Sequence, residues 1–113
     1  MKILPEIEKI SEDLMSIYKD LHQHPELGFE EIRTSKIVQQ KLNEFGVDEL
    51  HSEIGKTGVV AIINGKNNDG RRIGVRADMD ALPIEETTNL NYSSKIPGKM
   101  HACGHDGHTT MLL

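Results

Sequence analysis

The chain has 113 residues, with 13 Lys and Arg against 18 Asp and Glu for a formal charge of -5, 36% hydrophobic residues, two Tyr, two Phe and no Trp. This length suits one domain, and the scarcity of aromatics means that its core must be built from Ile, Leu, Val and Met. The acidic balance, with no basic run to neutralise successive phosphates, argues against a nucleic-acid partner. No apolar stretch approaches the roughly 18 to 20 residues of a membrane span, so no membrane partner is expected. The start, MKILPEIEKISEDL, is too acidic and polar for a secretory leader, and the expected location is cytoplasmic.

Apolar residues Ile7, Ile10, Leu14, Ile17, Tyr18 and Leu21 recur at steps of three and four, which predicts an amphipathic helix over about residues 5 to 22, with Pro5 near its start. His24-Pro25-Glu26-Leu27-Gly28 ends it, because the residue before proline avoids helical dihedrals and the glycine supplies a turn. A second helix is predicted from about Glu30 to Phe45, with Ile32, Ile37, Val38, Leu42 and Phe45 inward and Gly46 at its C-terminal cap. The runs Gly58–Ile63 and Arg72–Ala77, separated by Asn67-Asn68-Asp69-Gly70, read as a hairpin closed by an Asp-Gly turn. Weaker strand signals lie at Glu49–Ile54 and Leu90–Tyr92. A last helix is expected from Asp106, with Asp106 as its N-cap, and it stops after about two turns in the middle of its apolar face. The fold expected is a three-layer α/β domain, with two N-terminal helices on a mixed sheet and an edge left exposed. The chain reads as truncated.

Three of the six histidines fall in the eight residues His101-Ala-Cys103-Gly-His105-Asp106-Gly-His108. Cys103 and His105 are two apart, so on an extended segment both project to one side, and Gly104 permits close approach to an ion. A thiolate and an imidazole suit Zn²⁺ or a related divalent transition metal, and the following helix N-terminus helps to keep the sulfur deprotonated. Cys103 is the only cysteine, which excludes an intramolecular disulfide and leaves the roles of buried hydrophobe, nucleophile or ligand. The local crowding of histidines favours ligation over a thiol nucleophile, whose base usually comes from a distant part of the chain.

A second cluster, Arg76-Ala77-Asp78-Met79-Asp80, places two carboxylates on one face at the C-terminal end of a predicted strand, where ligands collect in open α/β sheets. Asp78 and Asp80 either coordinate a metal, orient a ligand or hydrogen-bond a histidine, or else they cap the loop before Pro83. His101 and His108 read as supporting residues rather than ligands, because a site rarely uses every nearby histidine. His22 and His24 read as a solvated helix end, His51 as surface and Glu85-Glu86 as loop.

The segments His22–Glu31, Gly55–Val60, Arg76–Ile84 and Met100–His108, in that order and with these gaps, resemble successive blocks of the M20 amidohydrolases. The similar subgroup is that of hippurate hydrolase, N-acyl amino acid amidohydrolase and the auxin-conjugate hydrolases of plants. The resemblance implies a zinc-exopeptidase-like catalytic domain, of which residues 1–113 are the N-terminal part, without the remainder of that domain or the small dimerisation domain. It implies a centre of two divalent ions (Zn, Mn, Co or Ni), with Cys103 and His105 as ligands, and a metal-activated water that attacks the amide of an N-acyl amino acid or short peptide. Asp80 matches the catalytic-centre aspartate that orients a metal ligand in the family's His-x-Asp motif, and here the histidine position is Asp78. The family's general base, a glutamate in a downstream Glu-Glu pair, and two further ligand histidines have no counterpart in the chain, so the fragment alone is expected to be inactive and the longer product to be a homodimer. The alternative of a different class is a non-catalytic relic or small metal-binding module using Cys103 and His105.

Overall fold

The computed structural model describes residues 2–67 and 69–113. Along these residues the chain forms helices α1 (Pro5–Lys9), α2 (Ser11–Gln23) and α3 (Ile32–Phe45), strands β1 (Glu49–Ile54) and β2 (Gly58–Ile62), and helix α4 (His105–Leu112).

The single N-terminal helix predicted from periodicity is broken at Ile10, whose φ of -104° and ψ of 6° leave the helical basin. Ser11 supplies the local reason, since its hydroxyl donates to the Glu8 carbonyl at 2.8 Å and competes with the helical ladder. The stop at His24-Pro25 is where the sequence places it. α3 ends on Gly46 at φ 77°, and the Val47 amide reaches back to the Leu42 carbonyl at 3.3 Å, the 6→1 bond of a Schellman ending. The start of α3 is held from outside the helix. Glu26 accepts from the Thr34 amide at 2.6 Å, the Thr34 hydroxyl at 2.7 Å and the Arg33 amide at 2.9 Å. Arg33 in turn donates both terminal nitrogens to Asp20 on α2, at 2.8 and 2.9 Å, which joins the two helices through a bidentate pair.

The hairpin is not the expected one. β1 pairs antiparallel with β2, Glu49 opposite Ile62 and His51 opposite Val60, so the weak signal at Glu49–Ile54 is a strand and the second half of the predicted pair is not. Residues 71–80 have no strand assignment, and Asn68 of the proposed Asp-Gly turn lies outside the described residues. The physical reason is edge supply: a strand needs a partner, and Ile73 and Val75 stand 92% and 71% exposed with no strand paired to them among the described residues. Leu90–Tyr92 is likewise not a strand. Gly58 is required where the hairpin turns back, because a Cβ there would lie 2.5 Å from the Ile54 carbonyl oxygen. A buried bond from the Thr57 hydroxyl to Glu31, 2.7 Å, anchors the turn to α3.

The α/β class expected from sequence holds, with helices against a small sheet. Among the described residues, however, the sheet is a two-stranded antiparallel pair, and parallel pairing is limited to one bridge, Leu27 to Ala81; the three-layer mixed sheet is not formed within them. The buried apolar residues are aliphatic, as composition required: Ile17, Leu21, Val38 and Ala81. Many buried neighbours are polar, including His22, Glu31, Thr34, His101 and Asp106. The radius of gyration of 15.4 Å exceeds the roughly 13 Å of a compact domain of this length. An open cavity of about 620 Å³ is lined by Val38, Val60, Ile63, Ile73, Val75 and Leu112, among others. No helix among the described residues is long and apolar enough to cross a membrane.

Candidate metal centre

Two backbone contacts fix the segment that carries the aspartates. The Ala81 amide donates to the Glu26 carbonyl at 2.7 Å, and Leu82 and Met100 exchange bonds at 2.9 and 3.0 Å. Residues 80–82 are thereby held between the loop after α2 and the approach to α4. Gly104 begins α4 at φ 116°, a left-handed conformation open to glycine and costly for other residues. Its N-cap position displaces Asp106 from the capping role predicted for it, and the Asp106 side chain turns inward instead.

This placement brings His105 onto Asp80. Nδ1 of His105 lies 2.9 Å from the Asp80 carbonyl oxygen and 2.9 Å from its carboxylate. Both partners only accept, so Nδ1 carries the proton and Nε2 presents a lone pair. Nε2 faces an Asp78 carboxylate oxygen at 3.5 Å. The other Asp78 oxygen accepts from His108 Nδ1 at 2.7 Å, and the His105 and His108 rings stack with centroids 5.4 Å apart. The Thr109 hydroxyl donates to the Asp78 carbonyl at 2.9 Å. The hydrogen bond from His108 holds the Asp78 carboxyl below its ordinary range against the opposing effect of partial burial, and the nearby His105 adds to the lowering.

Donor atoms of Asp78, His105 and His108 all lie within 4.8 Å of one another. Two ligand atoms each ~2.1 Å from a tetrahedral ion are about 3.4 Å apart, close to the 3.5 Å between Asp78 and His105 Nε2. The residues present therefore fit a divalent ion, and Asp80 is placed to fix the tautomer and ring orientation of His105, as carboxylates behind metal-bound histidines do. Cys103 lies two residues before His105 as an exposed free thiol, outside that group. His108, read from sequence as a supporting residue, lies inside it. His101 is buried, and neither of its ring nitrogens has a hydrogen-bond partner among the described residues. Burial lowers its pKa, with Asp106 and Asp80 opposing and His22 and His105 adding to the effect.

Residues 74–113 match the family described as Peptidase family M20/M25/M40. The whole chain aligns at 55% identity over 113 residues with a hippurate hydrolase of Campylobacter jejuni, covering 29% of that protein. Residues 74–113 are an M20-family segment. An N-acyl-L-amino acid amidohydrolase of Geobacillus stearothermophilus is 48% identical over 107 residues, 95% of this chain and 28% of the relative. A Bacillus subtilis structure described as a dinuclear metal binding peptidase from the M20 family superposes with a TM-score of 0.84 at 47% identity, over 91% of this chain and 28% of that one. The chain spans under a third of the length of these relatives.

Sequence reasoning missed the role of His22. It is not a solvated helix end: the residue is 4% exposed, with Nδ1 2.7 Å from Asp106 and Nε2 3.0 Å from Glu86. Glu86, read as loop, is in the loop but engaged there. The only available signal was the position of His22 one turn beyond Tyr18 on the apolar face of α2, which periodicity alone assigns to packing rather than to a buried ion pair. His24 and His51 are as unremarkable as expected, the first bonded to the Asp20 carbonyl at 2.8 Å and the second exposed beside Glu49.

Proposed function

We propose that these residues form part of the catalytic domain of a metal-dependent amidohydrolase that cleaves the amide bond of N-acyl amino acids or short peptides. The observation that carries this reading is the pairing of His105 Nδ1 with Asp80, which leaves Nε2 directed at the Asp78 carboxylate. The names of the relatives, hippurate hydrolase and N-acyl-L-amino acid amidohydrolase, support the substrate class.

Cys103 and His105 are the proposed ligands of a centre of two divalent ions, drawn from Zn, Mn, Co and Ni, with Asp78 the adjacent carboxylate donor. Support for Cys103 comes from its chemistry and its spacing of two from His105. Support for His105 and Asp78 comes also from their geometry. A divalent ion bound there supplies a water of lowered pKa and polarises the amide carbonyl. Asp80 holds the Nδ1 proton of His105, so that Nε2 stays aprotic and correctly turned. Glu85 and Glu86 are not free to act as a base, because the first accepts from the Gly98 amide and the second from His22 and the Ser94 amide. The base is proposed to lie outside these 113 residues, in a cytoplasmic, homodimeric product in which further strands cover Ile73 and Val75.

The test is to read the frame past codon 113 and assay the whole product on N-benzoylglycine and other N-acyl amino acids. Hydrolysis lost on chelation and restored by metal supports the reading. A stop directly after codon 113, with Co²⁺ binding but no turnover, leaves a small metal-binding module, and absence of both removes the metal reading altogether.

A further inference from the structure

The strongest unexplained feature lies behind the metal centre. His22, from the last turn of α2, is enclosed between two carboxylates, Asp106 at 2.7 Å on Nδ1 and Glu86 at 3.0 Å on Nε2, with side-chain exposures of 5% for the histidine, 2% for Asp106 and 3% for Glu86. Tyr18 and Tyr92 close over the imidazole, with ring centroids 5.9 and 5.5 Å away. Two buried carboxylates without a cation would be strongly disfavoured. An imidazole that meets an ionised acceptor at each nitrogen is held as the imidazolium.

Each carboxylate has further work in its own segment. Asp106 accepts from the Gly107 amide at 2.8 Å, and its carbonyl accepts from the Thr110 hydroxyl at 2.7 Å, so it organises the first turn of α4. Glu86 accepts from the Thr88 hydroxyl and the Ser94 amide, both at 2.6 Å, and so ties down the 86–94 loop. His22 is the link between them, and the residue covalently next to Asp106 is His105.

We propose that His22 is a positioning residue for the metal centre: clasped between Glu86 and Asp106, it docks the start of α4 onto α2 and thereby sets where His105 meets Asp80 and Asp78. His22 touches none of the proposed ligands and acts through Asp106 alone. The inference rests on the metal reading above for its effect on affinity, and on the hydrogen-bond geometry alone for its effect on the loop.

The test titrates the reduced chain with Co²⁺, reading the ligand-field and sulfur-to-cobalt absorption, and follows amide hydrogen exchange at residues 105–108 in the metal-free chain. His22→Gln is expected to raise the Co²⁺ Kd about tenfold and to speed exchange at 105–108 while leaving the amides of α3 unchanged. Val38→Ala, at a buried position of α3, serves as the control for simple loss of stability and is expected to leave the Kd within twofold of the parent. Should His22→Gln not fold, Glu86→Gln keeps an acceptor on Nε2, cancels one charge and is expected to move both readouts in the same direction. A Kd within twofold of the parent together with unchanged exchange at 105–108 overturns the proposal, as does an equal rise in Val38→Ala. If the parent takes up no Co²⁺ the metal reading fails by itself, and the exchange comparison then decides alone whether His22 positions this loop.

Discussion

His105 and Asp80, 25 residues apart, meet through two contacts from one ring nitrogen, 2.9 Å to the Asp80 carbonyl and 2.9 Å to its carboxylate. That double acceptor fixes the tautomer: the proton stays on Nδ1, and the lone pair of Nε2 is left for a ligand. A single contact would leave the ring free to turn, whereas two acceptors on one nitrogen hold it.

Asp80→Ala should therefore weaken metal binding without touching a proposed ligand. Loss of a partner of this kind typically costs ~10 to 100-fold in metal affinity, and a Co²⁺ titration of parent and variant measures it. An unchanged affinity would remove Asp80 from the centre.

Cys103→Ser should abolish the sulfur-to-cobalt absorption and lower the affinity, while His51→Ala, exposed on β1, should change neither. A Cys103→Ser chain that binds as well as the parent, set beside a His108→Ala chain that does not, would shift the ligand set to Asp78, His105 and His108.

The clasp makes a pH prediction whose sign is fixed. Burial disfavours a charged His22, but its hydrogen bonds to Glu86 and Asp106 outweigh that cost and raise its pKa. The stability it contributes is fully present below the ordinary imidazole value of about 6.5 and is lost as pH rises through the raised value. Glu86 shifts the other way: burial opposes the lowering, but bonds from Thr88 and His22 prevail, so its contribution is present above the ordinary carboxylate range and is lost on acidification. Tyr18, Tyr92, Asp106 and His101 also face this group. Urea midpoints of parent and His22→Gln, measured across pH 4 to 9, should differ most between these limits and converge at alkaline pH; a constant difference would show that His22 does not carry the charge assigned to it.

Glu26→Ala should destabilise the chain by about 1–2 kcal/mol, the scale of a lost helix N-terminal cap, because Glu26 satisfies the Arg33 and Thr34 amides at the start of α3. Chemical denaturation measures the loss. Since the Glu26 backbone also accepts the Ala81 amide, the midpoint should fall with little change in the exchange of Ala81, whose bond is to the main chain.

The local determinants were legible wherever chemistry is carried by neighbours in the sequence. Pro25 and Gly46 end their helices because of their own dihedral limits, and the spacing of Cys103 and His105 pointed to metal-binding chemistry, with His108 read only as a supporting residue. The Arg72–Ala77 run has strand composition, but composition cannot supply an edge, and the pairing went to Glu49–Ile54 instead.

By itself, then, the sequence determined which residue types gather near the centre, the helical segments with their proline and glycine stops, and the kinship with M20 peptidases carried by four ordered blocks. Only the tertiary structure decided that His105 Nδ1 donates to Asp80, that Asp78 faces the same ring, that Asp106 is no cap, and that His22 is buried against Asp106, 84 residues away in the chain. The physical reason is that periodicity and propensity describe contacts within a few residues. Burial of a charge, and the choice of acceptor for a ring nitrogen, are set by segments that approach one another only when the chain has folded.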